Sequence, residues 1–277
     1  MTRRISWALL AVLVLAQICY PLTTGATRAG LTVATVVIGW LLSVGHALLS
    51  RGPRVAAALV AVATGGGFAI EAIGVATGVP FGSYDYSGEL GPKLAGVPLI
   101  IPLAWTWMAW PAWLAAVRLT GGGSTAGRWV GRIALATVGL AAWDLFLDPQ
   151  MVAEGYWVWR DATPALPGLP GIPVSNYLGW LLFAVLMMSA LRPLAGPAVE
   201  HTDRRDHPMV ALYLWTYFSS ILAHAVFLDL PASALWGAAG MSVTAVPLAV
   251  TLLRDRRSRD ADREDHEPRR TGVDATR

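Results

Sequence analysis

Apolar residues run along this chain in long blocks, neither in the alternation of a half-buried strand nor in the narrow stripe of a surface helix. Eight blocks stand out, at residues 5–22, 29–49, 55–79, 97–119, 132–153, 176–195, 209–229 and 232–253. Each is close to the roughly 20 residues a helix needs to cross a bilayer. The pattern predicts an all-α fold, a polytopic transmembrane helix bundle of about eight spans, with both termini on one side. Arg3 and Arg4 precede the first block as they would in a signal peptide, but no convincing small-residue cleavage site follows, so that block is read as a retained helix. From Arg254 onward arginine alternates with aspartate and glutamate. Too few apolar residues remain there to fold, so residues 1–253 are expected to form the transmembrane domain and residues 254–277 a disordered charged tail.

Composition agrees with the blocks. The chain is 55% hydrophobic and only 14% charged, whereas a soluble domain carries about 25% charged residues. Its 21 Lys and Arg residues sit in the gaps between blocks and in the tail, which favours a membrane surface over nucleic acid as their partner. With eight spans, all of them except Arg28, Lys93 and Arg160 fall on one face. Basic residues are held on the cytoplasmic side during insertion, so both termini are expected there, in a multi-pass protein of the cell membrane. Cys19 is the sole cysteine, which leaves no disulfide framework and no cysteine metal site.

Acids inside the blocks need a reason, because an aspartate at mid-bilayer costs about 2.5–3.5 kcal/mol on insertion scales. Glu71 shares a helix face with Gly67, Gly74 and Gly78, which would let a neighbouring helix or a flat ligand approach closely. Asp144 and Asp148 are four apart and therefore stacked on one face, with Pro149 then weakening the helix. Two carboxyls so placed favour a neutral acid beside a carboxylate. His46, His224 and Asp229 complete the set, each histidine being more often a hydrogen-bonded core residue than a ligand. No paired-histidine spacing points to a metal. Glu71, Asp144, Asp148, His224 and Asp229 all lie in the later halves of spans running outward. The two long loops on that side, 80–96 and 154–175, are rich in Gly, Pro, Trp and Tyr. One acid-lined cavity under an aromatic roof is the economical expectation.

Three strings carry a resemblance: Pro80-Phe-Gly-Ser-Tyr-Asp-Tyr-Ser-Gly-Glu-Leu-Gly-Pro-Lys-Leu-Ala-Gly-Val-Pro98, then Asp144 with Asp148-Pro-Gln-Met-Val-Ala-Glu-Gly-Tyr-Trp-Val-Trp159, then Gly171-Ile-Pro-Val-Ser-Asn-Tyr-Leu-Gly-Trp180. Together, over roughly residues 65–230, the chain resembles the CruF-type carotenoid hydratases, which include carotenoid 1,2-hydratases of bacteria and bisanhydrobacterioruberin hydratases of haloarchaea. The proline-rich stretch Pro164 to Pro170 departs from that pattern. The resemblance implies addition of water across a terminal isopropylidene double bond of an acyclic carotenoid, giving a tertiary alcohol. Such chemistry needs a positioned acid, stabilisation of a tertiary cation and a held water. Asp144, Asp148 and Glu71 are the candidate catalytic carboxyls. Tyr84, Tyr86, Tyr156, Trp157, Trp159, Asn176 and His224 are the candidate substrate-binding residues. Hydration is redox-neutral, so no cofactor and no metal are expected. The expected partners are a lipophilic carotenoid and membrane lipid, with other carotenoid-pathway enzymes compatible neighbours. Two alternatives stay open: a proton-coupled membrane transporter, whose acids would form a relay, and a non-catalytic carotenoid-binding protein, which would need the cavity but not the acids. A retinal-type Schiff base is excluded, since the sole lysine, Lys93, lies in a loop.

Overall fold

The structure is a computed structural model that describes residues 2–123 and 125–266. Ten α-helices make up most of it. Helix α1 (Thr2–Cys19) ends in a tight turn at Tyr20–Leu22, and α2 spans Gly25–Arg51. Helices α3 (Pro53–Leu59) and α4 (Gly66–Thr77) form one helical run through a wide π-type turn at Val60–Gly65. Next come α5 (Ile101–Thr120), α6 (Ala126–Ala141), α7 (Asp144–Ala153), α8 (Val174–Ala195), α9 (His207–Leu222) with a π-type extension at Ala223–Phe227, and α10 (Pro231–His266). Part of the charged stretch that begins at Arg254 therefore continues α10, and residues 267–277 lie outside the described residues.

Among the described residues, seven helical runs are long and apolar enough to cross a membrane: Arg4–Leu22, Gly25–Arg51, Pro53–Thr77, Ala126–Ala153, Val174–Ala195, Arg204–Phe227 and Pro231–Ser258. These are seven of the eight expected blocks. The eighth, α5, carries Trp105, Trp107, Trp110, Trp113, Pro102, Pro111 and Arg118, which lower its hydropathy. It is the central helix, packed on α2, α6 and α9 and buried over most of its length.

Two prolines explain local features. Pro111 cannot donate to the carbonyl of Trp107, which instead accepts a 2.9 Å bond from Ser43 Oγ on α2. Pro149 likewise frees the carbonyl of Leu145, which accepts a 2.6 Å bond from Ser233 Oγ on α10. The fifth block was expected to weaken at Pro149. It breaks earlier, at Ala142–Trp143, and α7 runs through Pro149 to Ala153 because Ser233 replaces the missing bond.

The all-α expectation needs a second correction. The segments between α4 and α5 and between α7 and α8 hold six short strands in three antiparallel pairs. Strand β1 (Tyr84–Tyr86) pairs with β4 (Trp157–Trp159), so the two aromatic loops join. Strands β2 (Lys93–Leu94) and β3 (Val97–Pro98) form one hairpin, and β5 (Ala165–Leu166) and β6 (Leu169–Pro173) another. The latter contains the proline-rich departure: Pro167-Gly168 is its turn, with Gly168 at φ 80° as that turn requires. In β1 and β4, aromatic residues at every second position give the ribbon its buried face. The end of the bundle that they cover is called the loop end below, and the opposite end the far end.

Candidate active site

The β1–β4 ribbon has two unlike faces, as the period of two in a strand dictates. Register pairs Tyr84 with Trp159 and Tyr86 with Trp157, and these four side chains point into the protein. Asp85 and Val158 point outward, and Asp85 accepts two 2.7 Å bonds from the Arg160 guanidinium on the surface. Arg160 holds the Asp85 carboxyl below the usual carboxylate range. Inside, the rings contact one another edge-on or tilted at centroid distances of 5.3 to 5.6 Å.

Beneath this roof lies Glu71, buried on α4. Its Oε2 accepts from the hydroxyls of Tyr84 (2.7 Å) and Tyr86 (2.8 Å), and its Oε1 from Trp105 Nε1 (3.1 Å). Burial, and then the neighbouring negative charge of Glu71, push both phenols up, so they keep the protons they donate. Three polar side chains thus converge on one carboxyl. The glycine face admits a neighbouring helix, as expected, through Trp105 of α5, and it also admits Tyr84 of β1. A Cβ at Gly67 would lie 2.9 Å from the Trp105 ring, and one at Gly74 would lie 2.8 Å from the Tyr84 hydroxyl.

Asp144 and Asp148 do share one face of α7, and Asn176 at the start of α8 ties them together. Its Nδ2 donates to Asp144 Oδ2 at 2.8 Å and also to Asp148 Oδ2. Trp157 Nε1 donates to Asp148 Oδ1 at 3.2 Å. Both acids are buried, and Asp144 Oδ1 has no hydrogen-bond partner among the described residues. Asp144 sits in the first turn of α7, where the helix dipole favours negative charge.

A cavity enclosing about 140 Å³ connects these groups. That is the scale of a cavity able to hold a benzene-sized molecule. Glu71, Asp148, Asn176, Tyr84, Tyr86, Trp157 and Trp159 all line it. Trp105, Trp107, Trp143 and Trp180 line it too, with Trp105 and Trp180 stacked at 3.6 Å and Trp143 set edge-on to Trp107 and Trp180. Asp144 lies behind Asp148, off the cavity. Among the described residues, no group of three or more His, Cys, Asp or Glu side chains is placed to hold a metal ion.

Not every expected residue belongs to this wall. Tyr156 is buried but does not line the cavity, because it precedes the strand whose alternation aims Trp157 and Trp159 inward. His224 is buried behind the wall, edge-on to Phe146 and bonded to Ser233 and Gln150. Asp229 lies on an exposed turn with positive φ. His46 is at the far end, fully satisfied: Nε2 donates to the Arg205 carbonyl and Nδ1 accepts from Trp110. The tryptophans of α5 and Gln150 were not among the expected site residues. The spacing of Trp105 and Trp107 was legible as a signal, but burial in a central helix explains such residues equally well until the cavity is seen.

The comparisons with known proteins bear on this site. A profile of the family described as carotenoid biosynthesis protein matches residues 31–247. The bisanhydrobacterioruberin hydratase of Haloarcula japonica is 40% identical over 118 residues, which are 42% of this chain and 37% of that protein. The match thus spans little more than a third of the relative's length. No solved structure matches the chain.

Proposed function

Because the chain belongs to the carotenoid biosynthesis protein family and is similar over part of its length to a hydratase, we propose that its cavity hydrates a terminal isopropylidene group of an acyclic carotenoid. The observation that carries this proposal is a buried carboxyl pair bridged by Asn176, opening through Asp148 onto a cavity otherwise walled by indole and phenol rings. A transporter relay would need a wet path for protons, whereas this cavity is dominated by aromatic faces. A passive carotenoid binder would have no use for three buried acids, each of which costs stability.

In the proposed reaction the Asp144–Asp148 pair holds one proton, since two adjacent buried carboxyls do not both ionise cheaply. Asp148, the member on the cavity, donates it to the CH carbon of the double bond. The positive charge then sits on the tertiary carbon, stabilised by the Glu71 carboxylate and by the faces of Trp105, Trp143, Trp157 and Trp180. Each ring contributes about 0.5–2 kcal/mol. Cation stabilisation supplies most of the rate, because a buried carboxyl is a modest acid. Water adds to the cation and its proton returns to the pair, so atoms and charge balance with no redox partner.

The cavity volume suits the end of a polyene, leaving the rest of the hydrocarbon to run between helices into lipid. The topology that accompanies this proposal has eight spans, α5 being the eighth, in the cell membrane. The basic residues put both termini in the cytoplasm and the loop end outside. Residues 1–253 would then be the membrane domain and residues 254–277 a cytoplasmic tail.

The test is to express the protein in cells that accumulate lycopene, and separately in cells that accumulate bisanhydrobacterioruberin, and to analyse pigments by chromatography and mass spectrometry. A product heavier by one water on either substrate is expected. Unchanged pigments on both, with the protein present in the membrane, would overturn the proposal.

A further inference from the structure

Hydration needs a group that orients the water, and in the proposed reaction the three acids are already assigned to the proton and to the cation. Gln150 lines the same cavity from α7, two residues beyond Asp148. Its orientation follows from a chain of bonds that begins at Pro149. Because Pro149 has no N–H, the carbonyl of Leu145 takes the hydroxyl hydrogen of Ser233, at 2.6 Å. A serine hydroxyl has one hydrogen. Ser233 Oγ must therefore accept from His224 Nδ1, 2.9 Å away. In the neutral ring that leaves His224 Nε2 as an acceptor. The atom of Gln150 placed 3.2 Å from Nε2 is Oε1, and since two acceptors cannot bond, the amide is assigned the opposite orientation, with its NH2 toward Nε2. Its carbonyl oxygen is then the atom presented to the cavity, beside the buried Tyr20 hydroxyl that lines the same space.

A second observation points to a polar ligand there. Thr216 Oγ1 and Trp107 Nε1, both on buried cavity-lining residues, have no hydrogen-bond partner among the described residues. Buried polar groups ordinarily find one. We propose that Gln150 is the residue that orients the nucleophilic water, its side-chain carbonyl accepting one O–H so that the oxygen lone pair points at the tertiary cation. The proposal rests on the hydratase function given above. His224 and Ser233 act through Gln150 as positioning residues, which gives the buried histidine a role without contact to substrate.

The step divides into two halves that can be read separately. Protonation forms a C–H bond at the former CH carbon and breaks the π bond. Capture forms the C–O bond and releases one proton from water. If capture fails, the cation loses a proton and returns to the alkene. In D2O, each return that releases the original hydrogen in place of the delivered deuteron leaves deuterium at that vinyl carbon of recovered substrate.

Membranes containing wild type, Gln150→Met or Gln150→Glu would be incubated in D2O with lycopene and with bisanhydrobacterioruberin, and both product and recovered substrate analysed by mass spectrometry. Gln150→Met should lower hydrated product by at least ~10-fold while recovered substrate still gains deuterium. Gln150→Glu should restore much of the hydration, because a carboxylate oxygen replaces the amide oxygen and His224 Nε2 can take up a proton to face it. Wild-type hydration by Gln150→Met would overturn the proposal. So would loss of both hydration and exchange in both variants at wild-type protein level. Neither product nor exchange with wild type on either substrate would instead remove the hydratase function itself, and this inference with it.

Discussion

Both ends of the helix bundle bury ionisable side chains, and they treat the charge in opposite ways. At the far end Arg132 is fully buried, lies 3.6 Å from Glu200 and donates to Thr120 and to the carbonyls of Gly121 and Gly123. Arg192 donates to the same Glu200, and Arg51 grips Asp206 through bonds of 2.9 and 2.8 Å. Every buried acid there has a cation. At the loop end Glu71, Asp144 and Asp148 face tyrosine, tryptophan and asparagine donors, and among the described residues no basic side chain pairs with any of them. Burial alone therefore does not mark a functional acid in this protein. A balanced cluster fastens loops, whereas acids left without a counter-charge beside a cavity are poised for proton transfer.

Breaking the contrast at its strongest point gives the largest expected effect. Asp144→Asn should reduce hydration at least ~100-fold, although Asp144 does not touch the cavity, because the shared proton is lost. Protein level in the membrane should stay at or above wild type, which quantitative immunoblotting alongside pigment analysis would show. At the far end, Arg132→Met should do the reverse. It leaves Glu200 to Arg192 alone and removes the bonds to Thr120, Gly121 and Gly123, which should cost about 1–3 kcal/mol of stability, visible as a lower unfolding temperature in detergent, with hydration per folded molecule unchanged. Glu71→Gln falls between these in activity. An amide accepts through one oxygen only and carries no charge, so a loss of ~10-fold or more in hydration is expected, with deuterium exchange falling in step because cation formation itself suffers. The smallest effect belongs to the surface tie of the roof. Arg160 lowers the Asp85 carboxyl, so the tie is complete above the ordinary carboxylate range and is lost as pH falls through the lowered value. Asp85→Asn should leave hydration at neutral pH almost unchanged and remove only the acid-side loosening of the roof, measurable as protease sensitivity of the two loops against pH.

How much of this was legible in the sequence follows from how local each feature is. Seven of the eight apolar blocks reappear as helices able to span a membrane, because twenty consecutive apolar residues admit few other solutions. Spacing of four brought Asp144 and Asp148 together, since that distance on a helix is fixed. The break at Ala142–Trp143 was not legible, because the bond that spares Pro149 comes from Ser233, more than 80 residues away in the sequence. Pairing of the two aromatic loops had the same origin. Alternation in Tyr84-Asp85-Tyr86 and Trp157-Val158-Trp159 hinted at strands, but each run is only three residues long, and only their partnership separates Trp157 and Trp159 on the wall from Tyr156 behind it. Gln150 and the tryptophans of α5 carried no signal that distinguished site from core.

The most direct measurement is pigment analysis of membranes carrying Asp148→Asn beside wild type, matched for protein level, with lycopene and with bisanhydrobacterioruberin. Asp148 is the acid on the cavity, and asparagine keeps its size and its place between Trp157 and Asn176 while removing the proton it would deliver. Loss of the hydrated product together with loss of deuterium exchange into recovered substrate is the predicted result. Hydrated product at wild-type yield from Asp148→Asn would contradict the assignment of the unbalanced acids to proton transfer.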